Sequence, residues 1–379
     1  MHNLALDSFV IDDETILEID PYNVPESLTF AYPTRLADSW MALPECIVQR
    51  AMGTGPTQLH ITLYTGSTSD QDGRKRSRNP LTEYKRKQTI DRRGDYIFDA
   101  RYEANSNVGH YIVDTIPKIL LARKVLSERL GHDVKIDAVL KDSASRMSLE
   151  LFAAFGIATI STEAQVVGNL ITAASKPPET YMGGRLLHAE GAVLTGCLAE
   201  IYTDFRKTLL SGTEQTPEKI YISRRDSRTI ENEAEVERFL EERGYRKYLF
   251  ESGELEVIDQ WRVVAGASHI VAIHGAGLTP LIFNPRGFAR PPGDLSGLRV
   301  VELHGPGYYV DYNRRLAAIA NAHWCGVRGR ITPQIVRDLD ERGGGRVHQS
   351  SPFHLDLGTL ELALAYSDRC GSAPVNGSL

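Results

Sequence analysis

The chain has 379 residues, of which 42% are hydrophobic and 24% charged, with a net charge of −6. This is the composition of an ordinary soluble protein with room for two α/β domains, and no apolar run approaches the roughly 20 residues needed to cross a bilayer. Cys46, Cys197, Cys325 and Cys370 are scattered without a Cys-x-x-Cys pair, against a zinc knuckle or a disulfide scaffold, and the acidic balance gives no reason to expect a nucleic-acid partner.

The first ninety residues are rich in Pro, Thr, Ser and Gly and read as short strands and loops, with apolar pieces at 46–48 and 59–64. Asp7, Asp12, Asp13 and Glu14 leave the amino terminus without the basic start and apolar centre of a signal peptide, so a cytoplasmic protein is expected. Between Arg74 and Arg93 nine Lys or Arg stand against Glu83 and Asp91 alone, a local charge of +7. That stretch is either a solvated loop or a surface for anionic lipid head groups or a polyanionic acceptor, a peripheral membrane contact in the second case.

A strand at 96–99 leads through a polar loop to a helix over 109–130, with apolar spacing at Ile112, Ile116, Ile119 and Leu120. Pro117 has to fall in its first turn or kink it. A strand at 136–140, a helix at 149–155, a strand at 166–173 and a long helix from about 192 to 210 follow. The polar 211–217, with Gly212 and Pro217, marks a domain boundary. Beyond it the spacing predicts strand 219–223, helix 232–243 with Asn232 and Glu235 at capping-box spacing, strand 248–250, helix 255–267, strand 270–273, strand 300–303 and helix 312–322. Such alternation implies a parallel sheet with ligands at the carboxyl ends of its strands. The expected domains are a β- and loop-rich extension (1–94), a first α/β domain (95–211), a second one (212–350), and a carboxyl-terminal helix and tail (351–379).

Three features lie at strand ends in the second domain. In Ser223-Arg224-Arg225-Asp226-Ser227-Arg228, followed by Asn232 and Glu233, the guanidinium groups of Arg224 and Arg228 suit phosphate oxygens, or else pair with Asp226 and Glu231. In His274-Gly275-Ala276-Gly277-Leu278 a strand turns through two glycines into a helix, whose first amides can hold an anion; alternatively the glycines serve packing alone. His274 is either structural or a donor to a phosphate oxygen. Glu302, a lone carboxylate in the apolar strand Val300-Val301-Glu302-Leu303, either accepts the hydroxyls of a ribose or pairs with an arginine. Together they supply donors for a diphosphate and an acceptor for a sugar. In the first domain His110 and Asp114 are four apart on one helix face: either a base with an orienting partner, or a cap with a packed histidine.

Read together, these elements resemble glycosyltransferase family 61, whose members carry an Asn…His-x-x-x-Asp element followed by Ser-Arg…Arg…Asn-Glu, His-Gly-Ala-Gly-Leu and Val-Glu-Leu. Here the counterparts are Asn107, His110 and Asp114, then Ser223, Arg224, Arg228, Asn232 and Glu233, then 274–278, then 301–303. The resemblance implies two Rossmann-like domains facing a cleft, the B type among glycosyltransferases. It further implies a nucleotide-sugar donor, UDP-linked by the family's habit, held mainly by the later domain, and inversion at the anomeric carbon. The acceptor expected is a glycan or a lipid-linked glycan, as in surface or capsular polysaccharide synthesis. Neither Asp70-Gln-Asp72 nor Asp338-Leu-Asp340 looks like a metal site, so metal-independent transfer is expected, with no cofactor beyond the donor. Asp114 would be the base, His110 its helper, and Arg224, Arg228 and the Gly275 to Gly277 amides the clamp on the leaving diphosphate. Transfer of a non-sugar group to a polysaccharide, or noncatalytic nucleotide or glycan binding, are the rival readings. Residues 287–298, rich in Pro and Gly, form an insertion relative to the family pattern.

Overall fold

The computed structural model describes residues 7–13, 57–68, 88–101, 108–176, 201–210, 216–250, 254–289, 297–306, 312–330, 332–334, 337–338, 348 and 350–370. The described residues fall into two compact units, the first running to Ile201 and the second starting at Tyr202. Both are α/β with parallel strands.

The first unit is built on a six-stranded sheet in the order β1-β2-β6-β3-β4-β5. Its strands are β1 (Asp7–Asp13), β2 (Thr57–Ser67), β3 (Thr89–Asp99), β4 (Ile136–Leu140), β5 (Thr159–Ser161) and β6 (Gln165–Lys176). β6, β3, β4 and β5 run parallel, and β1 and β2 extend the sheet antiparallel beside β6. Parallel neighbours need a crossover, which helices α1 (Ile116–Leu130) and α2 (Arg146–Ala154) supply on either side of β4. The end of β3 is clamped by a buried pair: both oxygens of Asp99 accept from Arg101, at 2.8 and 2.7 Å. Arg101 also donates to the Thr162 and Ala164 carbonyls and to Thr68 Oγ1. A guanidinium with 0% exposure is tolerable only with its N–H groups matched in this way.

The helix expected over 109–130 begins with a turn at Val108–His110 and then widens into a π turn at Tyr111–Thr115, where the Ile116 amide reaches back to the Tyr111 carbonyl. Pro117 follows as the second residue of α1. It has no N–H to give and its ring crowds the preceding turn, so the extra residue is accommodated just before it. Gly131, at φ 70, ends the helix in the left-handed conformation that glycine adopts without strain.

The second unit holds five parallel strands, β7 (Lys219–Ile222), β8 (Arg246–Tyr248), β9 (His269–Ile273), β10 (Arg299–His304) and β11 (His323–Arg328), in the order β11-β10-β9-β7-β8. Counted along the unit this is the doubly wound order 2-1-3-4-5, which reverses between β7 and β9. Strand alternation sorts the side chains to two covered faces. Ile220, Ile222, Ile270, Ala272, Val300 and Trp324 pack with residues of α5 (Val257–Gly266), of the 3₁₀ segment Ala276–Phe283 and of α6 (Tyr312–Ile319). Tyr221, Val271, Ile273, Val301, Leu303 and Val327 pack under α4 (Glu233–Glu241) and α7 (Leu357–Cys370). Each fully buried aliphatic side chain contributes about 1.5–3 kcal/mol, and the two layers together make the core.

Several elements differ from the sequence reading. β8 ends at Tyr248 instead of beginning there, and β11 was not anticipated. The segment after the glycines is 3₁₀ with Pro280 inside it, not α-helical, since proline cannot donate to an α-helical ladder. The division between units precedes the expected linker: α3 (Thr203–Leu210) belongs to the second unit, with Tyr202 and Phe205 each 5.0 Å from the ring of Phe283. The capping box at α4 gives way to another arrangement, in which Asn232 makes no side-chain cap and its amide pairs with both backbone groups of Leu355. Asn107, Asp70, Asp72, Asp340 and most of 74–93 and 287–298 lie outside the described residues. Among the described residues no helix is long and apolar enough to cross a membrane.

Candidate donor-binding site

Strand order reverses between β7 and β9, and the carboxyl ends of such strands are where doubly wound sheets form their ligand crevice. The segment leaving β7 carries Arg224 and Arg228; the segment leaving β9 carries His274 and the glycine bend. Both guanidinium groups end on one atom, the His274 carbonyl oxygen, at 3.3 Å from Arg224 Nη1 and 3.0 Å from Arg228 Nη1. Arg228 has φ 58, a left-handed conformation that costs a side-chain-bearing residue about 1–2 kcal/mol, and its amide is held by the Ser350 carbonyl at 3.1 Å. Arg224 Nη2 also donates to Ser227 Oγ at 3.4 Å.

Gly275 is buried, and a Cβ there would overlap Arg224 Nη1. The glycine therefore makes room for a guanidinium lying across the bend. Gly277 has a different neighbourhood, with Ile222 Cγ2 3.3 Å and Phe250 Cδ2 3.5 Å from where its Cβ would sit, so it serves close packing on the sheet. Ala276 is the exposed residue of the turn. The first amide of the 3₁₀ segment with a helical acceptor is that of Leu278, which donates to Gly275 O at 3.2 Å; those of Ala276 and Gly277 precede it. Leu278 itself is fully buried in the core.

Glu302 is neither a ribose acceptor nor an arginine partner as placed, because its carboxylate is wholly buried and occupied by other donors. Oε1 accepts from His274 Nδ1 at 2.6 Å and from Asn313 Nδ2 at 2.7 Å; Oε2 accepts from Trp324 Nε1 at 2.8 Å. His304 Nε2 lies 3.5 Å from Oε2, and its ring stacks on that of His274 with centroids 4.9 Å apart. Strand alternation explains the placement, for Glu302 shares the face of Val300, beneath α6 and beside Trp324. Burial alone would keep this carboxyl protonated, but the histidines at 304 and 274 hold it well below the usual carboxylate range. Burial likewise pushes His274 down to about 4 against the pull of Glu302, so the ring is neutral at pH 7. An ionised carboxylate can only accept, so Nδ1 of His274 carries the hydrogen and its N–H is committed to Glu302. The expected donation from this ring to a phosphate oxygen is thereby closed; what His274 offers the crevice is its carbonyl.

Ser223 and Asn232 are also engaged within the protein. Ser223 Oγ donates to Glu233 Oε1, and Glu233 also pairs with Lys247 at 3.1 Å. Asn232 bonds Leu355 at 3.0 and 2.9 Å. His110 is half-buried in the turn before the π segment, and Asp114 lies within that segment. Among the described residues His274, Glu302 and His304 bring potential metal ligands within 4.8 Å of one another. The three short N–H donors on Glu302 suit an isolated carboxylate better than one shared with a cation. Sequence reasoning missed Asn313, Trp324 and the 350–355 segment. A polar residue inside the apolar spacing of 312–322 was the available signal for Asn313; the other two gave none.

A doubly wound parallel sheet carries its ligands, where it binds any, at the carboxyl ends of its strands beside the switch point, which is where the two arginines and the glycine bend lie. Residues 108–290 match the family model described as Glycosyltransferase 61, and this match supports the family resemblance carried by the motifs. No curated protein matches it. The matched residues include His110, Asp114, both arginines and the glycine bend, and stop short of Glu302.

Proposed function

We propose that the chain is an inverting, metal-independent glycosyltransferase that moves a sugar from a nucleoside diphosphate donor, UDP-linked by the habit of the family, to a hydroxyl of a glycan or lipid-linked glycan. Surface or capsular polysaccharide synthesis is the setting that suits such an acceptor, and the B-type two-domain architecture is the reading that suits two α/β units. One observation carries the donor assignment: Arg224 and Arg228 end on the same carbonyl beside the glycine bend, at the reversal of strand order.

In the proposed reaction the acceptor oxygen bonds to the anomeric carbon while the bond from that carbon to the diphosphate oxygen breaks. The bonding pair leaves on the diphosphate, and the hydroxyl proton passes to the Asp114 carboxylate, oriented by His110. Arg224, Arg228 and the amides of Ala276 and Gly277 meet the charge that develops on the leaving group. Removing one such donor typically costs about 3 kcal/mol of transition-state stabilisation. Glu302 holds the His274 ring, and the His274 carbonyl holds both arginines.

The test combines turnover with binding. Asp114→Asn is expected to abolish transfer while UDP still raises the melting temperature as in the wild type. Wild-type turnover in that variant removes Asp114 as the base. A UDP-dependent rise that survives chelator supports metal independence; a rise that needs added divalent ion overturns it.

A further inference from the structure

Two cations on one carbonyl repel each other, so their shared acceptor has to be fixed by something behind it. The His274 carbonyl is fixed three ways. The His274 amide donates to Leu303 O at 2.8 Å, extending the β9 to β10 ladder by one residue. The ring is tied to Glu302 at 2.6 Å. The next carbonyl along, that of Gly275, accepts from Asn313 Nδ2 at 3.3 Å, the same nitrogen that donates to Glu302 at 2.7 Å. Asn313, from α6 and fully buried, thus bridges the buried carboxylate and the backbone of the bend. Trp324, from β11 and 2% exposed, holds the other carboxylate oxygen.

We propose that Asn313 and Trp324 are positioning residues for the arginine pair: they orient Glu302, which orients His274, whose carbonyl presents Arg224 and Arg228 to the diphosphate of the donor. The role rests on the donor-site reading above, and both residues lie outside the span matched to the family. Asn313 and Trp324 touch no reacting atom; they act through Glu302.

The test uses Asn313→Ala and Trp324→Phe in the full chain, the second keeping an aromatic ring while deleting the N–H. Two readouts are taken. Modification of individual arginines by phenylglyoxal, followed by peptide mass spectrometry, needs no nucleotide: the rates at Arg224 and Arg228 are expected to rise several-fold, with Arg243 and Arg286 unchanged. Inorganic pyrophosphate affinity is expected to fall roughly tenfold as the ordered geometry is lost. Unchanged rates at Arg224 and Arg228, or a parallel rise at all four arginines, overturn the positioning role. Should wild-type protein fail to bind pyrophosphate while the arginine rates respond as expected, the donor reading falls and the positioning role stands.

Discussion

Replacing Gly275 by alanine separates two reasons for a glycine at the bend. The residue has φ 162 and ψ −176, extended backbone that any residue adopts, so alanine brings no conformational penalty. Its Cβ would overlap Arg224 Nη1 and lie 3.2 Å from Cζ and 3.8 Å from Cδ. The obstruction is the far end of a flexible side chain, so the guanidinium yields and the fold does not; a stability loss below about 1 kcal/mol is expected. What is lost is the bond from Arg224 to the His274 carbonyl, at 3.3 Å a long one, and with it the placement of one cation at the crevice. Hydrogen bonds to charged groups contribute about 1.5–3 kcal/mol. Length and partial exposure favour the lower end, and about 1.4 kcal/mol is tenfold in UDP affinity. Calorimetric titration with UDP beside a thermal melt measures both quantities. The same substitution in an Arg224→Ala background should then cost nothing further, because the group it displaces is gone. Full affinity in Gly275→Ala, a fall of many degrees in melting temperature, or additive losses in the double variant would each refute the reasoning.

Other outcomes follow from the same geometry. Arg228→Gly relieves a left-handed residue at φ 58, so thermal stability should hold or rise slightly while UDP affinity drops about tenfold or more; a destabilised variant with intact affinity contradicts this. Gly287→Ala is the contrasting glycine, since its Cβ would overlap the Ala320 carbonyl oxygen, a backbone atom that cannot swing away. A loss of roughly 1–3 kcal/mol is expected in denaturant unfolding. His274 and His323 are both held near pKa 4 by burial, below the ordinary 6.5. Between pH 6.5 and about 4 the unfolded chain takes up protons that the folded chain refuses, so stability should fall across that window and the histidine contribution level off below it. Urea midpoints that stay flat from pH 7 to pH 4.5 would contradict the assignment.

The second unit was legible because its strands are continuous apolar runs separated by amphipathic helices, the pattern that parallel sheets impose. β10, one residue longer at each end than expected, was read for that reason, as was β4 at 136–140 in the parallel part of the first unit's sheet. β11 escaped because His323-Trp-Cys-Gly-Val-Arg328 lacks both alternation and an aliphatic run, though all six residues are buried. The 3₁₀ geometry escaped because Leu278, Leu281 and Ile282 fit either helix and only the ladder distinguishes them; Pro280 was the overlooked mark. At the site, charge and strand-end position identified Arg224 and Arg228. The inward turn of Glu302, Asn232 and Ser223 had no sequence signal, since it depends on partners 10 to 123 residues away.

On the proposed reading, the inward turn of Glu302 suits a diphosphate clamp. Two guanidiniums can follow a departing phosphate only if their own anchor stays still, and a backbone carbonyl at the end of a buried strand moves less than a side-chain acceptor would. Burying the carboxylate of Glu302, linked to the arginines only through His274, keeps a negative charge out of the anion's path. A carboxylate at the rim would compete with the donor for the same cations. A carbonyl at the rim carries only a partial charge and gives way to phosphate oxygens. The left-handed backbone at Arg228 fits the same scheme, for the strain is held by the Ser350 carbonyl and returns as a side chain aimed at one atom. On this account the specificity for a diphosphate over a monophosphate should reside in the pair of arginines together. Arg224→Ala and Arg228→Ala should each narrow the ratio of UDP to UMP affinity, and variants that weaken both ligands equally would argue that the arginines bind the nucleotide elsewhere.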